Sequence, residues 1–216
     1  MTKLDLIVAV VKHAGVGVAD TLSAGMASAI KNSITEVQEY TKQVNDALYC
    51  MQVETFLETG DLDPEEVTEF LNKNPDNQRL GLEIFKILES TYLKEQAEYN
   101  AIAFRKYVRS EINKQKFNQY IHVIKQLTRH ILSEIETDLF NVKTYNPQGL
   151  PNNENDSSVY EFFHLCSKNQ TLQTIGFVLE DVLDMPIGYS GSVQPTMIYK
   201  RTGLYLDFYL DIIKRE

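Results

Sequence analysis

Cysteine is scarce in this chain of 216 residues: Cys50 and Cys166 are the only two, and they form no CxxC pair. That excludes a disulfide framework and a thiolate zinc site of the usual spacing, and it leads us to expect a reducing compartment, the cytoplasm. No apolar run is long enough to cross a bilayer. The longest near the start, Leu6 to Val11, is bracketed by Asp5 and Lys12, whereas a span takes about 20 mostly apolar residues. A single Lys3 beside Asp5 makes a poor basic leader, and the pattern after it continues as helix, so no signal peptide is expected. Positive charge is also in deficit, 21 Lys and Arg against 30 Asp and Glu for a net charge of -9, which disfavours a general nucleic-acid binder. There is no GxSxG, P-loop, HExxH or dinucleotide fingerprint, so the expectation is a non-enzymatic protein without a cofactor.

What the chain does have is helical periodicity. Phe117, Tyr120, Ile121, Ile124, Leu127, Ile131, Ile135 and Leu139 recur at three- and four-residue intervals, as one stripe about six turns long. Upstream, Leu80, Ile84, Ile87 and Leu88 lead into Leu93, Ala97, Ala101, Phe104 and Val108, with a change of phase around Ser90 to Tyr92. The short connection Asn113 to Lys116 makes the two halves of this block antiparallel neighbours.

Before it, a helical pattern runs through Val37, Tyr40, Val44, Leu48, Met51 and Phe56 and stops at Gly60. Asp63-Pro64-Glu65-Glu66 then reads as a helix start, with Asp63 as N-cap and Pro64 in the first turn. The acidic run resembles a calcium loop only superficially, because the central glycine and the distal glutamate are missing.

Residues 1–34 are glycine- and alanine-rich. As a helix they would align Gly15, Ala19, Ser23 and Ala27 into a ridge of small residues, beside a ridge of mostly large ones from Ala14 to Ile34. Small ridges let helices approach closely, which suits a partner or homo-oligomer surface in water or, through residues 4–34, association with a membrane.

Two further constellations carry chemistry. Arg105, Lys106, Arg109, Lys114, Lys116, Lys125 and Arg129 cluster against Glu111 alone, with Tyr107, Phe117 and Tyr120 interleaved, the composition of a nucleic-acid patch. Basic residues around a turn more often form a solvated face. His122, Gln126, His130, Glu134 and Asp138 fall four apart on one helix line, and His130 with Glu134 has metal-ligand spacing. One line supplies two adjacent ligands where three or four must converge, so no metal is assigned to His122, His130 and Glu134.

From Asn141 to about 157 the breakers Asn146-Pro147-Gln148-Gly149 and their neighbours mark a linker. Beyond it, Val159–Ser167 and Leu172–Leu183 read as helices, Ile187–Ser192 as a turn and Met197–Tyr199 as a strand. Thr202 caps a last helix bearing Leu204, Tyr205, Phe208, Tyr209 and Ile212. The order is that of a winged-helix unit, but its second helix would carry Glu180 and Asp181 and no basic residue, the wrong charge for DNA. The expected fold is therefore mainly α: an antiparallel helical bundle over 1–140, a linker over 141–157, and a small α+β winged-helix-like module over 158–216.

The small-residue N-terminal segment, the stretch LEIFKILESTYLKEQAEYNAIAFRKYVRSEINKQKFNQYIHVIKQL and the terminal YKRTGLYLDFYLDII together resemble, in layout, helical phage and mobile-element proteins of the abortive-infection alpha type. The resemblance implies a role in phage–host conflict, at the membrane or as a regulator, on the host or the phage side. It supplies no functional residues. The membrane reading has a direct test: replacing Gly15, Ala19 and Ser23 with leucine should abolish liposome association or leakage, and unchanged association would remove the ridge from the mechanism.

Overall fold

The computed structural model describes residues 34–73, 75–164, 166–182 and 197–214, and they are mainly helical with one small antiparallel sheet near the C-terminus. The ridge Gly15, Ala19, Ser23 and Ala27 and the turn Ile187–Ser192 lie outside the described residues. The chain forms two compact units, one up to Lys125 and one from Gln126.

The first unit contains α1 (Ile34–Gly60), α2 (Pro64–Lys73), α3 (Pro75–Glu89), α4 (Lys94–Val108) and α5 (Lys114–Gln126). α1 ends where expected, although the left-handed residue that turns the chain is Asp61, at φ 42°, one position after Gly60. The start of α2 follows its sequence signature. The Asp63 carboxylate accepts from the Glu65 amide at 2.8 Å, and the Glu66 carboxylate reaches back to the Asp63 amide at 3.2 Å. The phase change near Ser90 is a real break: the Ser90 and Thr91 hydroxyls donate to the carbonyls of Ile87 and Leu88 at 2.7 and 2.9 Å, closing the last turn of α3.

α4 sits at the centre of this unit because two of its faces are buried. Along one, Leu93 meets Gln52 and, further along both helices, Ala101 meets Gly60, so α1 and α4 run in the same direction. Ala97 and Ala101 are fully buried and keep this approach close. Along the other, Gln96 meets Ile124 and Tyr107 stacks on Phe117 with centroids 4.9 Å apart, so α4 and α5 run in opposite directions, as the short connection predicts. Rings of Phe56, Phe104, Phe70, Tyr107 and Phe117, each 4.9–5.9 Å from the next, join α1, α4, α2 and α5.

The interior is not wholly apolar. Gln96 accepts from the amides of Tyr92 and Leu93 at 3.2 and 3.1 Å and donates to the Ile124 carbonyl at 3.1 Å, while Gln52 donates to the Leu93 carbonyl at 3.1 Å. Two buried glutamines thus fix the α3–α4 bend.

The stripe from Phe117 to Leu139 is not one helix. Leu127 and Thr128 interrupt it, with Thr128 extended and its hydroxyl accepting from the Ile131 amide at 3.2 Å as the N-cap of α6 (Arg129–Tyr145). α6 belongs to the second unit, so the division falls between Lys125 and Gln126 rather than in the stretch 141–157. That stretch is no plain linker either. Its first residues complete α6, and the remainder is tied down within the unit: the buried Asn146 side chain bonds the Gly149 carbonyl at 2.7 Å and the Gln148 amide at 2.9 Å, and Lys214 donates to the Asn152 carbonyl at 2.9 Å. Asp156 accepts from the Ser158 amide and hydroxyl and from the Asn152 amide, bonds that hold its pKa down at about 2.

The rest of the second unit is α7 (Val159–His164), α8 (Gln170–Thr174), β1 (Val178–Val182), β2 (Met197–Arg201) and α9 (Gly203–Phe208), which continues as a π-helical turn over Tyr209–Ile213. The helix expected over Leu172–Leu183 is corrected here. α8 stops at Thr174, Gly176 takes φ 77°, and Val178 to Val182 pair antiparallel with β2 from Val178↔Arg201 to Val182↔Met197. Glu180 and Asp181 therefore lie on a strand. Thr202 caps α9 as expected, accepting from the Tyr205 amide at 3.2 Å. Phe162, Leu172, Phe177, Tyr205, Phe208 and Ile212 form the core, with Phe177 stacked on Tyr205 at 4.3 Å.

Gln96→Leu should lower the unfolding free energy by about 2 kcal/mol or more in urea titrations, because it leaves buried backbone amides and a carbonyl without their partner. A loss under about 0.5 kcal/mol would show that the glutamine does not hold the bend.

Candidate functional site

The basic cluster is largely matched within the first unit. Arg109 donates to Glu66 through Nε and Nη2, both at 3.3 Å, and to the Asp61 carbonyl at 3.3 Å, a contact that draws the Glu66 pKa down and raises that of Arg109. Lys106 pairs with Glu111 at 3.3 Å. Lys116 lies 6.0 Å from the Tyr120 ring centroid, and Lys114 has partners as well. Tyr120 and Phe117 are buried in the core and offer no ring to a base, while Tyr107 is stacked on Phe117. Arg105 is half-buried and Lys125 exposed in the same unit, whereas Arg129 is exposed in the other. Among the described residues the cluster thus forms neither an unmatched charge stripe nor an aromatic stacking platform.

The histidine line is broken by the Thr128 cap, which places His122 on α5 and His130 with Glu134 on α6. Both latter residues face α8: Asn169 donates to Glu134 at 2.8 Å, and Thr171 lies 3.4 Å from His130 Nε2. Asn169 also caps α8, accepting from the Leu172 amide at 3.0 Å, so Glu134 helps to orient a helix cap. No group of three or more His, Cys, Asp or Glu is placed to hold a metal among the described residues.

A constellation with no sequence signal lies at the centre of the second unit. Arg201, at the end of β2, donates twice to Asp138 on α6, Nε to Oδ2 at 2.8 Å and Nη2 to Oδ1 at 2.7 Å, and once to the Phe162 carbonyl at 2.7 Å. Its side chain is 1% exposed and lies over the Phe162 ring at 5.3 Å. Burial opposes the guanidinium charge, but the hydrogen bonds and charge of Asp138 outweigh it and raise the Arg201 pKa. Tyr205 and Cys166 adjoin the pair electrostatically. Burial drives the tyrosine's pKa well up, with Asp138 adding to it. Burial also raises the Cys166 thiol to about 11, against the pull of Arg201.

Arginine, carboxylate, thiol and phenol so placed evoke a catalytic centre. The arrangement does otherwise. The fork of Arg201 is filled by Asp138 and a carbonyl, and a thiol with that pKa is almost entirely protonated near neutrality. The cluster joins α6, α7, β2 and α9.

The other feature without a sequence signal is exposed. Val182 and Met197 face each other across the strands, each 47% exposed, and Leu179 on β1 is 42% exposed. Of the charged residues of this hairpin, Lys200 pairs with Asp181 at 2.7 Å, Glu180 accepts from the neutral Tyr199 hydroxyl at 3.3 Å, and Arg201 is taken up by Asp138. No described helix is long and apolar enough to cross a membrane.

The chain matches no protein-family model, no curated protein and no solved structure.

Two measurements test the buried cluster. Arg201→Met should cost about 3 to 5 kcal/mol because Asp138 is left charged and unpaired, and adding Asp138→Leu should recover much of it; a double variant no more stable than the single one would dismiss the pair as the cause. The half-buried Cys166 should react with Ellman's reagent at pH 8 more slowly in the native protein than in denaturant, because its raised pKa leaves little thiolate, and equal rates would contradict that shift.

Proposed function

We propose that this chain is a non-enzymatic interaction protein whose C-terminal unit docks a protein partner, either another protein or a second copy of itself, through the hairpin. The observation that carries the reading is the cross-strand pair Val182 and Met197, two apolar side chains exposed side by side on one face of the sheet, with Leu179 exposed on the opposite face. Exposed apolar side chains gain by being covered, whereas paired charges add little attraction for nucleic acid or a charged lipid surface. The functional reading is matched by a fold reading: the helices of the first unit act as a bundle, and α7, α8, the hairpin and α9 act as a winged-helix-like module whose wing meets protein instead of DNA. Glu180 on β1, hydrogen-bonded to the neutral Tyr199 hydroxyl, supports that choice, since an acidic residue on a wing repels phosphate. The resemblance in layout to abortive-infection alpha proteins implies phage–host conflict as the setting of that interaction.

The experiment is the double variant Val182→Lys/Met197→Glu. Opposite charges directly across the strands keep the hairpin paired while removing its apolar face. Light scattering coupled to size-exclusion chromatography should show a wild-type assembly that becomes monomeric in the variant, with an unchanged thermal transition. A wild-type monomer that gives no specific cross-link at position 197 in its native host, or an assembly that the variant leaves intact, would overturn the hairpin as the docking surface.

A further inference from the structure

We draw no further inference here: the strongest candidate, the fully buried Asn100 side chain on the α5-facing side of α4, whose amide oxygen and nitrogen have no hydrogen-bond partner, carries nothing because no feature of the structure shows what would meet it.

Discussion

Burying one helix on two sides is the constraint from which the first unit follows. α4 contacts α1 along Leu93, Ala97, Ala101 and Phe104, and α5 along Gln96 and Tyr107, so its sequence has to serve two neighbours of different approach distance. Alanines bring α1 close. Longer side chains hold α5. Among the polar side chains trapped between these layers, Gln52 and Gln96 bond backbone groups at the α3–α4 bend, where helix ends leave amides and carbonyls without partners, whereas the amide of Asn100 is left unmatched. Polar side chains inside this unit thus define where one helix stops and the next begins.

The second unit solves a different problem with the same means. Apart from α6, of 17 residues, its helices are short, α7 and α9 having six residues each and α8 five, and these could not stand alone. A stacked aromatic core supplies burial, and the Asp138–Arg201 pair supplies direction, since a two-pronged guanidinium–carboxylate contact admits few geometries. Burying such a pair gains little net stability. Its effect is to fix which residue of β2 lies against which turn of α6.

Much of this was legible in the sequence, and the failures have physical causes. The end of α1, the Asp63–Pro64 start and the Thr202 cap were readable because each is written in local residues, whereas the break at Ser90 showed only as a change of phase in a pattern read as one helix. Thr128 was missed because apolar spacing continues through the break, and periodicity alone does not distinguish one long helix from two that share a phase. Leu172 to Leu183 misled because a short apolar run suits strand or helix equally, and the deciding residue was Gly176. The basic cluster looked unopposed because its counter-charge, Glu66, lies 43 residues from Arg109. Asp138 and Arg201, 63 residues apart, left no local trace at all. The exposure of Val182 and Met197 depends on strand register, which follows only once β1 is recognised as a strand.

The parallel run of α1 beside α4 has a consequence for synthesis. Gln52 waits for Leu93, 41 residues downstream, and α2 and α3 must both be made in between. At ribosomal speeds of about 5–20 residues per second, α1 spends roughly several seconds outside the tunnel before its main partner emerges. α4 and α5, adjacent and antiparallel, can close on each other at once. Phe56, buried in the finished unit against Phe104, is therefore a side chain that a nascent-chain chaperone would find uncovered until α4 is made.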